Sequence, residues 1–208
     1  MRARLEQHRK DEEAHRAKVD NRQREYRILE LWESSGFPLR HKQRLAGAEP
    51  WPDGVEADTY AVLKAGGILS LVGERGHGKT QLAAALAYRY LCEHALPVRY
   101  SRADDLFAGI WAEFDKDQGD GHTHAVKRAS GGGLLIIDEL QDRKESDPEQ
   151  RELTRIIDKR YGALRPTILI ANLKPDELTK AVGLSIASRM TESGSVVVCD
   201  WKNYRQAN

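Results

Sequence analysis

Residues 73–80 read GERGHGKT, between the apolar run ILSLV and the Ala- and Leu-rich stretch KTQLAAALAYRYLCEH. A buried strand, a glycine turn and a helix in that order fit G-x-x-x-x-G-K-[ST], and they constrain the chain more than any other feature. Gly73, Gly76 and Gly78 let the main chain approach a phosphate where side chains would collide. Successive N–H groups and the helix N-terminus then hold the anion. Lys79 reaches the β- and γ-phosphates, and the Thr80 hydroxyl ligates Mg²⁺. His77 lies inside the loop at a variable position that is expected to face solvent, and Gln81 follows the Lys-Thr pair. The nucleotide-contacting set is therefore Gly73, Gly76, His77, Gly78, Lys79, Thr80 and Gln81, with ATP or ADP and Mg²⁺ as ligands.

After residue 67 strands and helices alternate. Strands are expected at 68–73, 97–101, from 133, at 166–172 and at 195–201. Helices are expected at 79–94, 103–117, 122–130, 147–164 and 175–192, the last interrupted near Gly183. Apolar strands alternating with helices give a parallel sheet covered on both faces. The run LLIIDE ends in Asp138 and Glu139, two acids at a strand's carboxyl end. Asp138 holds Mg²⁺ through water, and Glu139 polarises the attacking water. A catalytic Glu directly after the Asp implies a strand inserted between the phosphate-loop strand and this one. The fold class is thus α/β, a P-loop NTPase with a five-stranded parallel sheet of order 5-1-4-3-2. Asn172 ends the TILIAN strand beside the phosphate loop, where its amide can reach the γ-phosphate and the water. Arg189, in SRM, is a candidate for presentation to a neighbouring subunit's nucleotide.

The N-terminal third differs in character. Residues 1–34 are dense in Arg, Lys, Glu and Gln without Pro or Gly, and read as a charged helix. Val19, Tyr26, Leu29 and Trp32 form its apolar stripe, which either packs on the domain or docks a partner. Glycines and prolines punctuate 35–67, with a short helix at 55–65. This divides the chain into a helical partner-binding extension at 1–35, a linker and lead-in at 36–66, and an ATPase domain at 67–208. A net charge of +1 excludes a global basic field, so nucleic-acid contact needs a local patch. Arg99, Arg102, Lys116, Lys127 and Arg128 supply one around 102–130, and Phe107 and Trp111 are candidates to stack on bases or to fill the core. His122 and His124 read as a polar loop rather than a metal site. No apolar run approaches a membrane span and no secretory leader is present, so a cytoplasmic location is expected. Cys92 and Cys199 form no CxxC pair.

Taken together, IIDEL (136–140), IIDKRYGALRPTILIANL (156–173), SRM (188–190) and the ending WKNYR (201–205) resemble the DnaC-type helicase loaders, a branch of the AAA+ ATPases. GFPLRHKQRLAG (36–47) resembles the segment that precedes the ATPase core in that family. The resemblance implies that Lys79 and Thr80 are the Walker A pair, Asp138 and Glu139 the Walker B pair, and Asn172 sensor 1. It further implies that Arg189 is an arginine finger acting in trans, that Arg205 acts like a sensor 2, and that there is no C-terminal helical lid. The implied function is ATP-dependent loading of a hexameric replicative helicase, bound through residues 1–35, onto single-stranded DNA, with the ATPase domains self-associating. An IstB-type transposition helper and a nucleotide-switched DNA-binding protein with little turnover are the alternatives.

Overall fold

The computed structural model describes residues 2–46, 51–116, 120–142 and 146–201. Five parallel strands form its centre: β1 (Ile68–Val72), β2 (Val98–Arg102), β3 (Leu134–Asp138), β4 (Thr167–Ala171) and β5 (Ser195–Val198). Their order is β2-β3-β4-β1-β5. Read from the other edge this is 5-1-4-3-2, the order inferred from the position of Glu139. β4 is the inserted strand, pairing Val72 with Ala171 on one side and Ile137 with Leu169 on the other.

Alternate residues of β1 serve two cores, as a strand buried on both faces requires. Leu69 and Leu71 join a layer made with α3 (Val55–Lys64) and α4 (Lys79–His94), and Ile68 and Val72 join the opposite layer. That second layer is built from α5 (Ala103–Lys116), α6 (Asp120–Ser130), α7 (Asp147–Gly162), α8 (Pro175–Val182) and α9 (Leu184–Ser193). Gly183 breaks the helical run between α8 and α9 at φ +84°, as its sequence position suggests.

α7 carries the largest fully buried side chain, Arg160. Its guanidinium donates to Thr167 Oγ1 and to the carbonyls of Ala129, Gly131, Gly133 and Pro166. The arginine of the crossover helix thus fastens the end of α6, the glycine turn before β3 and the start of β4. Burial first, and Arg165 second, lower its pKa to about 9, which still leaves it charged at neutral pH.

The N-terminal helix α1 (Arg2–Glu33) corrects two expectations. Trp32 is 5% exposed and packs against Phe37 and Tyr88, whereas Tyr26 and Leu29 are 65% and 55% exposed. The single stripe therefore divides. At 100° per residue the inward face is Arg24, Ile28, Leu31 and Trp32, and Val19, Tyr26 and Leu29 lie on the outer side. Sequence reading missed Arg24 because it is charged. Its guanidinium donates to the Cys92 and Glu93 carbonyls, placing a cation on unsatisfied groups at the carboxyl end of α4. Nor is 36–66 only a linker, since Phe37, Trp51, Tyr60 and Leu63 belong to the core cluster. A short helix, α2 (Leu39–Gln43), lies within this segment. The boundary expected at residue 35 thus falls inside continuous packing. Phe107 is buried among α5–α7 residues and Trp111 packs against the same cluster, which favours the core reading for both.

Candidate functional site

The carboxyl ends of β1, β3 and β4 converge on the glycine turn. The Gly73 N–H donates to Leu173 O beyond β4, and the Cys199 N–H beyond β5 donates to Val72 O, so the loop springs from a point fixed on both sides. Gly73 has φ +129°, and a Cβ there would lie 2.6 Å from the Cys199 carbonyl oxygen. Only glycine fits where the loop leaves the sheet.

Lys79, at the first turn of α4, is 5% exposed, and its ammonium donates to the carbonyls of Gly73 at 2.7 Å and Glu74 at 2.6 Å. Folded back this way, the amine sits over the concavity of its own loop. The Thr80 hydroxyl donates to Asp138 Oδ2 at 2.8 Å. A hydroxyl and a carboxylate brought together at the foot of a phosphate loop form the all-oxygen donor set that suits Mg²⁺. The residues present fit a magnesium–nucleotide complex.

Glu139 follows at φ +54°, a left-handed conformation that costs a non-glycine residue roughly 1 kcal/mol. The turn is held by the Glu139 N–H on Asp138 Oδ1 at 2.7 Å and the Asp142 N–H on Glu139 O at 2.9 Å. It directs the Glu139 carboxylate to Arg102, whose Nη2 lies 2.7 Å from Oε2. β2–β3 register sets this up, since Arg102 pairs with Asp138. Arg102 also approaches Asp104 and Asp142, and Arg75 of the glycine loop lies 3.7 Å from Asp142. Burial raises the pKa of Glu139, and Arg102 opposes that shift. Sequence reading took Arg102 for a DNA contact. The register with Asp138 was the missing information.

Asn172 directly follows β4, and its N–H donates to Gln141 Oε1 at 2.8 Å. Gln141, in the turn after β3, was not singled out from sequence. Two expected nucleotide contacts are differently engaged. A ring nitrogen of His77 is hydrogen-bonded to the Trp201 carbonyl, so the ring is half-buried and not turned to solvent. The Gln81 amide is taken up by α2, with Oε1 2.9 Å from His41 Nδ1 and Nε2 donating to His41 O at 3.3 Å. Burial, together with Arg40 and Arg44, lowers the pKa of His41 against the opposing bond from Gln81.

Arg189 stands apart from this constellation. It lies 3.0 Å from Asp158 of α7, donates to the Ser185 carbonyl and hydroxyl, and approaches the Tyr161 ring. Arg205 falls outside the described residues, as do the side chains of Lys116 and His122. His124 and Lys127 are exposed on α6, and Arg128 is paired with Glu113. Among the described residues no group of three or more His, Cys, Asp or Glu side chains could hold a metal ion, and no helix is long and apolar enough to cross a membrane.

Comparison with known proteins gives a consistent result. Residues 59–205 match the family described as IstB-like ATP binding protein. The chain is 30% identical over 143 residues to the replicative helicase loader DnaC of Escherichia coli (strain K12). The match covers 67% of this chain and 58% of that protein, so the chain spans under two thirds of the relative's length. Among solved structures, DnaI superposes with a TM-score of 0.62 at 21% identity, over 84% of this chain and 99% of that one. AMPPCP-bound DnaA from Aquifex aeolicus superposes with a TM-score of 0.61 at 22% identity, over 74% of this chain and 50% of that one. At those identities the likeness shows a shared fold.

Proposed function

Given that the chain belongs to the IstB-like ATP-binding protein family, we propose that it is an ATPase that loads a replicative DNA helicase onto single-stranded DNA. The observation that carries the ATPase reading is the Thr80–Asp138 contact across the inserted strand, with Glu139 next in line. Likeness to the DnaC loader supports the choice of helicase loading as the work that hydrolysis drives.

In this reading the loop amides and Lys79 bind the phosphates, with the amine exchanging its two loop carbonyls for phosphate oxygens. Thr80 and Asp138 hold Mg²⁺, which when bound neutralises charge on the phosphates. Glu139 accepts the proton of the attacking water once its carboxylate leaves Arg102, and Asn172 orients that water. Arg189 exchanges Asp158 for the nucleotide of a neighbouring copy, which makes turnover depend on self-association. Arg205 supplies a second cation. The outer face of α1, with Val19, Tyr26 and Leu29, meets the hexameric helicase. The basic groups around α5 and α6 follow the DNA backbone.

The test is assembly of the chain with a hexameric replicative helicase on circular single-stranded DNA. ATP should permit loading and release of the helicase, and Glu139→Gln should stall the complex before release. Absence of any complex with a cognate helicase sinks the loader reading. The family match favours a second reading, an IstB-type transposition helper, in which the ATP-bound chain assembles on duplex DNA and stimulates a transposase.

A further inference from the structure

Asp138 accepts three hydrogen bonds, one of them from outside the phosphate-binding motifs. Oδ1 takes the Glu139 N–H, and Oδ2 takes the hydroxyls of Thr80 at 2.8 Å and Tyr100 at 2.9 Å. A carboxylate oxygen offers two lone-pair sites, so Oδ2 is filled and the remaining acceptor capacity is on Oδ1. Tyr100 therefore determines which oxygen of this 4%-exposed carboxylate remains for a cation-bound water.

The ring that carries this hydroxyl is not free to move alone. Phe37 lies against it with centroids 4.5 Å apart, and Phe37 in turn packs on Trp32 at 5.4 Å. The Tyr100 N–H donates to Ser35 O at 2.7 Å, tying the end of α1 to the outer edge of β2. Gly36, at φ +86°, permits this approach, since a Cβ there would fall 2.5 Å from Tyr100 O. Contacts thus run without a gap from the last turn of α1 to the carboxylate.

We propose that Tyr100 is a positioning residue for the cation-binding carboxylate, and that through Phe37 and Trp32 it ties occupancy of that site to the seating of α1. The inference rests on Thr80 and Asp138 forming the magnesium–nucleotide site. A cation-bound water at Oδ1 pulls on the carboxylate and displaces with it the hydroxyl held on Oδ2. Because one face of the ring is close-packed on Phe37, the displacement is passed along the aromatic row rather than absorbed locally.

The test uses the full chain and a fluorescent ATP analogue, titrated with Mg²⁺ starting from EDTA. Tyr100→Phe should raise the Mg²⁺ half-saturation roughly 10-fold, the low end for loss of a partner behind a metal ligand, with metal-free nucleotide affinity unchanged. In the nucleotide-bound wild type, Mg²⁺ should alter amide exchange across residues 30–37. That response should be lost in Tyr100→Phe and also in Phe37→Leu, which keeps the hydroxyl and breaks the row. If Tyr100→Phe does not fold, Phe37→Leu alone decides through the exchange response. A half-saturation within twofold of wild type in Tyr100→Phe overturns the inference. So does exchange at 30–37 that ignores Mg²⁺ in the wild type, or a full response in Phe37→Leu. Wild-type nucleotide binding that is strong yet independent of Mg²⁺ is a different failure, which removes the site assignment and the inference with it.

Discussion

Replacing Trp32 by Ala and, separately, Tyr26 and Leu29 by Ala asks which face of α1 belongs to the domain. Trp32 is 5% exposed and sits between Phe37 and Tyr88, with the Lys42 ammonium 5.8 Å from its ring. Truncating a buried tryptophan costs about 3–5 kcal/mol through lost burial and the cavity left behind. For a chain of this size each kcal/mol lowers the melting temperature by about 2–4 °C, so Trp32→Ala should lose roughly 6–20 °C. Tyr26 and Leu29 make no such contacts with the core, and their double replacement should stay within about 0.5 kcal/mol of wild type, near 1–2 °C. Thermal melts of the full chain measure both, and helicase pull-downs with the same proteins complete the comparison. Tyr26→Ala/Leu29→Ala should lower helicase affinity by a few kcal/mol while melting normally, as exposed anchors do. If that double variant melts as early as Trp32→Ala, the outer face is packed in solution and the assignment of faces is wrong. If it melts normally and binds helicase fully, α1 is not the docking surface.

Lys79→Ala should lose ATP binding, while Glu139→Gln should bind ATP and hardly hydrolyse it, as equilibrium binding and phosphate release will report. Arg189→Ala subunits mixed with Lys79→Ala subunits should recover turnover that neither has alone, and turnover per subunit should rise with protein concentration. A rate independent of concentration refutes action in trans. Reversing the charge of Lys127 and Arg128 should lower the salt slope of single-stranded DNA binding by about 1.4, at about 0.7 per phosphate contact. An unchanged slope places the DNA path elsewhere. Burial holds the folded-state pKa of His41 below its ordinary 6.5, so the neutral ring contributes stability above that value. This stability is lost as pH falls through the lowered folded value. His41→Gln should therefore flatten the acid side of the stability profile, measured by denaturant melts from pH 7 to pH 5.

The parts of this molecule that obey a local rule were legible in the sequence. The glycine turn, the helix over residues 79–94 and the five strands each announce themselves by pattern, and the acid after Asp138 carried the strand order as well. What escaped depends on pairings between distant segments. Spacings of seven, three and three from Val19 to Trp32 suit a stripe, yet they spread over more than one face of a helix. The docking of Arg24 on the end of α4, together with Trp32 against Phe37 and Tyr88, fixes which face turns inward. Likewise Arg102 reads as a DNA-contacting cation, and Tyr100 as a strand residue of no special chemistry, until β2 is laid beside β3, which brings one to Glu139 and the other to Asp138. Glycines and prolines over 35–67 signal turns correctly, but punctuation says nothing of whether the residues between turns are buried. Phe37 and Trp51 are.

The carbonyl cage around Arg160 has a consequence for how the sheet can come apart. The guanidinium reaches from the crossover helix to oxygens at the beginning of both strands that the helix connects. Fraying β3 from β4 at that end therefore exposes a charge and several oxygens at once, each a costly orphan inside the protein. Slow amide exchange in β3, β4 and α7 should accordingly be lost as one cooperative unit rather than strand by strand. A lysine, with three donors on a single nitrogen, cannot span five acceptors. Arginine at this position thus makes three pieces of secondary structure, separate in sequence, behave as a single thermodynamic body beneath the nucleotide site.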